Sequence, residues 1–220
     1  MTEQTPPLQD RCGLYLITPD RIDDPAAFAD DLAAGLAAGP VDVLQLRLKH
    51  GGDAAIRAVY AAIEPVCARF DVPILINDRA DLAAELGADG VHLGQDDGDV
   101  ATARALLGHD RDIGVTCHDS LHLAFEAGEA GADYVAFGAF YPSGTKERRF
   151  APEPDLLSQW DVVTELPAVA IGGITPDNCT ALARAGAHFV AVCGAVWQAQ
   201  NGPAEAVAAF TRALDAARSA

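Results

Sequence analysis

Two aspartates, Asp78 and Asp97, stand just past short apolar runs, in "ILINDR" and "VHLGQDD". A basic pair, Arg47 and Lys49, closes another run, "VLQLRLK", and Lys146 stands in "PSGTKERR" with Arg148 and Arg149. Two carboxylates from neighbouring loops suit Mg2+, a hard cation that keeps open positions for water and for substrate phosphate. Arginine and lysine pair with phosphate oxygens directly. This first set of residues therefore has the chemistry of a diphosphate site. A second set is "AIGGITP" with Gly173 and "AVCGAVW" with Cys193 and Gly194. Glycine lets a ligand approach the backbone closely, and N–H groups at a helix start can cradle a monophosphate. Two anion sites suggest two phosphorylated substrates, one of them a diphosphate.

Each residue also has a plainer reading. Asp78 or Asp97 could cap a helix. Arg47 and Lys49 could be solvated surface charges, although alternation along the run puts Gln45, Arg47 and Lys49 on one face. Thr116, in "GVTCH", offers a hydroxyl, and His118 two residues on is either structural or an acid–base group.

Positioning such residues takes a repeated scaffold. Apolar, β-branched runs recur at 14–18, 41–48, 72–77, 90–93, 113–116, 133–140, 167–173 and 188–194. Alanine-rich segments of helical spacing separate most of them. Asp24-Pro25 and Thr175-Pro176 look like helix starts, with proline at the first helical position. Gly39, Gly87, Gly108, Gly131 and Gly186 look like left-handed C-caps. The phrases "GADGVHLG", "GADYVAFG" and "GAHFVAVCG" read as one helix-to-strand junction used three times. Strands apolar throughout are buried on both faces, as in a parallel sheet. Strands alternating with helices point to a (β/α)8 TIM barrel, α/β in class, with its chemistry at the C-terminal strand ends. The rival, a doubly wound open sheet, lacks the GxGxxG turn expected after the first strand. Residues 1–12 are polar and read as a flexible tail, and 13–220 as one catalytic domain.

Composition narrows the partners. The formal net charge is −17, with 32 acidic and 15 basic residues. Such a surface repels nucleic acid and anionic membranes and leaves room only for small anions in local basic pockets. Five cysteines without a CxxC pair point to free thiols in a reduced, cytoplasmic compartment. Small phosphorylated molecules are the expected partners, and a homo-oligomer is compatible with this composition.

In this order the motifs "QLRLK", "NDRADLA", "GADGVHLGQDD", "GVTCH", "PSGTK", "AIGGITPDN" and "VAVCGAVW" resemble the thiamine phosphate synthase family, over nearly the whole chain. The resemblance implies transfer of a pyrimidinylmethyl group from hydroxymethylpyrimidine diphosphate to a thiazole phosphate. It implies that Gln45, Arg47, Lys49, Asn77, Thr116 and Lys146 hold the pyrimidine diphosphate, with Arg47, Lys49 and Lys146 stabilising the leaving group. Asp78 and Asp97 would bind Mg2+. Ser143, Gly144, Thr145, Gly173, Cys193 and Gly194 would hold the thiazole phosphate. The chain departs from the family pattern at Ser143 and Gly144 and at Gly194, where serine is common; Thr116 replaces a serine and keeps the hydroxyl. Two rival functions are a thiazole tautomerase-like isomerase using His118 and a non-catalytic phosphate-binding barrel.

Overall fold

The structure, a computed structural model, describes residues 12–142 and 149–218. Strands and helices alternate along the chain in the order β1 (Gly13–Ile17), α1 (Pro25–Ala38), β2 (Val43–Leu46), α2 (Asp53–Phe70), β3 (Ile74–Asn77), α3 (Ala80–Leu86), β4 (Gly90–Leu93), α4 (Val100–Leu107), β5 (Asp112–His118), α5 (Leu121–Glu129), β6 (Tyr134–Gly138), α6 (Asp155–Val163), β7 (Ala168–Ile171), α7 (Cys179–Arg184), β8 (Phe189–Val192), α8 (Gly194–Trp197) and α9 (Gly202–Arg218). All strands pair in parallel with their neighbours, and β1 closes on β8. This is the (β/α)8 barrel expected from the alternation of runs.

The period of two along each strand splits the apolar residues into two cores. Leu14, Leu16, Leu44, Leu46, Ile74 and Ile76 point outward and pack under the helices. Tyr15, Ile17, Leu75, Tyr134, Ala136, Val169 and Ala191 fill the barrel interior. Gln45 lies between two outward leucines and therefore points inward, where it is only 3% exposed. Cys12, grouped by composition with the tail, is already buried, and none of the five cysteines pairs in a disulfide among the described residues.

The repeated junction has a physical role. The carboxylates of Asp89 and Asp133 accept from the backbone N–H of Ile74 and Ile113, each at 2.7 Å, and His188 Nδ1 accepts from Ala168 at 3.3 Å. Each junction side chain thus secures the start of the preceding strand. Asp42 does the same for Leu14, at 2.8 Å. Asp133 also accepts from Arg104, whose guanidinium bonds the carbonyls of Gly108, Arg111 and Gly131. Asp133→Ala is expected to cost about 2 kcal/mol of stability, the loss of a charge-assisted bond and of a strand-end acceptor. Urea unfolding checks this, with turnover per folded molecule unaltered.

Some local expectations need correction. Asp24 caps α1 as expected, accepting from Ala26 and Ala27. Gly39, however, has φ 175°, extended rather than left-handed backbone. Thr175-Pro176 does not start a helix: α7 begins at Cys179, and Asn178 Oδ1 accepts from the Thr175 N–H at 2.8 Å. The second strand stops at Leu46, so Arg47 and Lys49 leave the sheet rather than continue its alternation.

Candidate active site

At the C-terminal end of the barrel, Arg47 is held from both sides. Buried Thr18, next after β1, accepts from the Arg47 N–H at 2.9 Å and donates its hydroxyl to the Arg47 carbonyl at 3.2 Å. The guanidinium donates to the carboxylate of Asp20. Asp20 was missed by sequence reasoning. It lies just past the first strand, in "LITPD", where no basic run or glycine-rich motif marks it.

Asp78 and Asp97 converge. Asp78 has φ 65°, and its N–H donates to His92 O at 2.8 Å, which ties it to β4. Burial pushes the Asp78 carboxyl up from the usual range, and the hydrogen-bonded Asp97 carboxylate pushes it further. Arg47 and Asn77 pull it partly back. A carboxylate whose charge is disfavoured by a second carboxylate beside it fits a divalent cation, which would relieve the repulsion. Among the described residues no three His, Cys, Asp or Glu side chains gather to hold a metal, so such an ion would take its other ligands from substrate and water. The capping reading fails for both residues. Asp99 caps α4 through the Thr102 N–H, and Arg79 occupies the N-cap of α3. Gly94 makes room for Asp97: a Cβ there would lie 2.2 Å from Asp97 Oδ2.

A buried polar chain crosses the barrel interior beneath these groups. Gln45 Nε2 donates to Tyr15 Oη at 2.9 Å. Tyr15 Oη and Tyr134 Oη lie 3.0 Å apart, and Tyr134 Oη lies 2.8 Å from His92 Nδ1. His92 Nε2 lies 2.8 Å from Thr116 Oγ1. The chain thus joins two expected substrate contacts, Gln45 and Thr116, through three residues given no role in advance. Burial, and the charge of Arg47, hold the His92 imidazolium pKa down at about 4, so the ring is neutral at pH 7. Gly114 is required here, because a Cβ would sit 1.9 Å from Tyr134 Cζ.

On the other side of the mouth, Tyr141 N–H donates to Gly172 O at 3.0 Å and Asn178 Nδ2 to Gly173 O at 3.1 Å. Gly173 has φ 62°, and a Cβ would meet Pro142 O at 2.3 Å. This glycine therefore lets the segment after β6 pack against the end of β7. Gly194 is different, since a Cβ there would touch only the Gln198 side chain, at 3.4 Å or more. Packing would admit a serine at that position. The Cys193 thiol donates to Thr18 O at 3.4 Å. Burial and the nearby Asp20 raise its pKa to about 11, with Arg47 opposing, so it is a neutral thiol. Trp197 Nε1 donates to Ile17 O at 2.7 Å and secures α8 over β1.

The charge of Arg47 thus acts on Asp78, His92 and Cys193 together. Lys49 is exposed in a turn. Ser143, Gly144, Thr145, Lys146 and Arg148 lie outside the described residues, and Arg149 is exposed. His118 has φ 55°, and its ring stacks on Phe150 with centroids 4.2 Å apart. An open cleft lined by Asp89, Arg111 and Asp112 lies at the opposite, N-terminal end of the barrel. No helix among the described residues is long and apolar enough to cross a membrane.

Residues 14–196 match the family model described as thiamine monophosphate synthase. The chain is 54% identical over 203 residues to the thiamine-phosphate synthase of Rhodospirillum centenum, covering 92% of this chain and 98% of that one. It is 52% identical to that of Hyphomonas neptunium, covering 96% of each. Its fold matches a thiamine phosphate pyrophosphorylase from Pyrococcus furiosus at a TM-score of 0.83 with 26% identity, over 96% of this chain and 99% of that one. The chain belongs to the thiamine monophosphate synthase family and is a transferase of thiamine biosynthesis.

Proposed function

We propose that the chain transfers the 4-amino-2-methylpyrimidinylmethyl group of hydroxymethylpyrimidine diphosphate to the nitrogen of a thiazole phosphate, in the presence of Mg2+. The observation that carries this reading is the convergence of Asp78 and Asp97 beside Arg47 at the barrel mouth. Asp78 and Asp97 would hold Mg2+, which supplies positive charge to the diphosphate oxygens. Arg47, Lys49 and Lys146 add charge-assisted hydrogen bonds to the same oxygens. The bond between the methylene carbon and the diphosphate oxygen breaks, and its electron pair leaves with pyrophosphate. The carbon is left as a cation stabilised by the aminopyrimidine ring. The thiazole nitrogen donates its lone pair to that carbon, giving thiamine phosphate. No proton moves in the bond-forming step, so the chain needs stabilisation of the leaving group and alignment more than a strong base.

Asn77 and Asp78 stand at the end of β3, and Gln45 and Thr116 face the pyrimidine side. The thiazole phosphate is assigned to Gly173, Cys193 and Gly194 with Ser143, Gly144 and Thr145. The register Ile171↔Ala191 puts Gly173 and Cys193 each two residues past a paired position, which supports a shared cradle.

The tautomerase reading would make His118 the acid–base group. His118→Ala is expected to leave formation of thiamine phosphate within about threefold of wild type. A loss of about 10²-fold or more, the usual weight of an acid–base group, in a folded variant would favour the histidine mechanism instead. Initial rates with both substrates decide between them.

A further inference from the structure

Arg79 follows Asp78 directly, and every nitrogen of its guanidinium is engaged by a carboxylate. Nε and Nη2 donate to Asp81 at 2.8 and 2.7 Å, and Nη1 and Nη2 donate to Asp53 at 2.6 and 3.2 Å. Asp81 stands in the first turn of α3 and Asp53 at the start of α2. The clamp therefore joins the loop after β2 to the loop after β3. Those two strands end side by side, with Leu46 opposite Ile76. The chain leaves β2 through Arg47 and Lys49 and reaches α2 at Asp53. Gly52, the N-cap of α2, has no side chain to close that loop, and Asp53 closes it through Arg79. Arg57 and Glu85 lie one turn further along the same two helices and form a second fork, both bonds at 2.7 Å. The residue beside the clamp is strained. Asp78 has φ 65°, a region that residues other than glycine seldom occupy. Such a conformation persists where its surroundings fix it from several sides. The Asp78 N–H is tied to His92 O at 2.8 Å, and the Arg79 N–H to Asn77 O at 2.9 Å. The Arg79 side chain adds a third tie, to α2 and α3 together.

We propose that Arg79 is a positioning residue: clamped between Asp53 and Asp81, it holds the left-handed turn at Asp78 and so aims that carboxylate at the cation it shares with Asp97. The proposal rests on the metal reading given above. Arg79 acts by geometry rather than by charge, because its guanidinium is already neutralised by two carboxylates. A planar fork with both partners aligned fixes direction as well as distance. The three side chains are half-exposed, so the pairs add little to global stability. Their effect is local, on the turn next to them.

Calorimetric titration of inorganic pyrophosphate with and without Mg2+ gives the factor by which Mg2+ tightens pyrophosphate binding. Arg79→Gln and Asp53→Asn are each expected to reduce that factor by about tenfold, the usual weight of a residue that orients a metal ligand. The double variant is expected to fall no further than either single one, since the two side chains act as one unit. Charge alone would give opposite signs. Loss of the Arg79 charge would strengthen cation binding at the aspartates, and loss of the Asp53 charge would weaken it. Arg57→Gln serves as the control, because it breaks the neighbouring fork away from the barrel mouth. It is expected to leave the factor within about twofold, with a melting temperature close to that of Arg79→Gln. Opposite signs in Arg79→Gln and Asp53→Asn, or an unchanged factor in either, would overturn the proposal. So would an equal fall in Arg57→Gln, which would make the effect a general one of loosening α2 from α3. A wild type whose pyrophosphate binding is indifferent to Mg2+ would remove the metal reading and the proposal with it.

Discussion

Asp78→Ala is expected to lower turnover by about 10²-fold or more, the usual consequence of removing charge stabilisation from a leaving group. The same change should not destabilise the metal-free protein. The folded state raises the Asp78 carboxyl pKa above its unfolded value, through burial and through Asp97. At a pH above both values the folded state carries a charge it disfavours, so the ionised group costs stability. The melting temperature without metal should therefore be equal to or higher than that of wild type. Adding Mg2+ with pyrophosphate should raise it in wild type and much less in the variant. Near-wild-type turnover in Asp78→Ala would remove the metal role. A large fall in metal-free stability would instead show Asp78 to be structural.

The second large effect is expected at Arg47. Arg47→Ala should lower kcat by about 10²-fold, because its guanidinium is the one described cation whose charge reaches Asp78, His92 and Cys193 together. Arg47→Lys should recover only part of this, since a lysine cannot reproduce the planar fork that pairs with phosphate oxygens. The partner Asp20 gives a contrasting result. Without ligand it neutralises Arg47, and a diphosphate would compete with it for the guanidinium. Asp20→Asn should therefore keep or increase pyrophosphate affinity, where Arg47→Ala lowers it. Calorimetric titration of pyrophosphate into the three variants measures both signs. Equal weakening in Asp20→Asn would mean that Asp20 orients Arg47 for the ligand rather than competing with it.

The barrel was legible in the sequence because its signals are local. Apolar runs with both faces buried, alanine-rich segments and the repeated junction phrase are each contained within a few residues. The three junction side chains perform one physical task, bonding the start of the preceding strand, which is why the phrase recurs. The aspartate pair and Arg47 were legible for a related reason, since polar groups at the ends of apolar runs stand out. What escaped the reading depends on closure of the sheet. Tyr15, His92 and Tyr134 lie on β1, β4 and β6 and meet only because the barrel brings their inward faces together. Their one local sign is a polar atom at an inward position of an apolar strand. Asp20 is one carboxylate among 32 acidic residues, and only its pairing with Arg47 from the next strand end sets it apart. The glycines divide for a similar reason. Gly173 answers to backbone contact with Pro142, and Gly194 does not answer to packing, a distinction of space that residue type alone does not carry.

The central claim is transfer of the pyrimidinylmethyl group at the Asp78–Asp97–Arg47 mouth. It is tested most directly with purified protein, Mg2+, hydroxymethylpyrimidine diphosphate and thiazole phosphate, following pyrophosphate and thiamine phosphate together. The account predicts one pyrophosphate released for each thiamine phosphate formed, with both products lost when Mg2+ is chelated. Both substrates bound with neither product formed would contradict it.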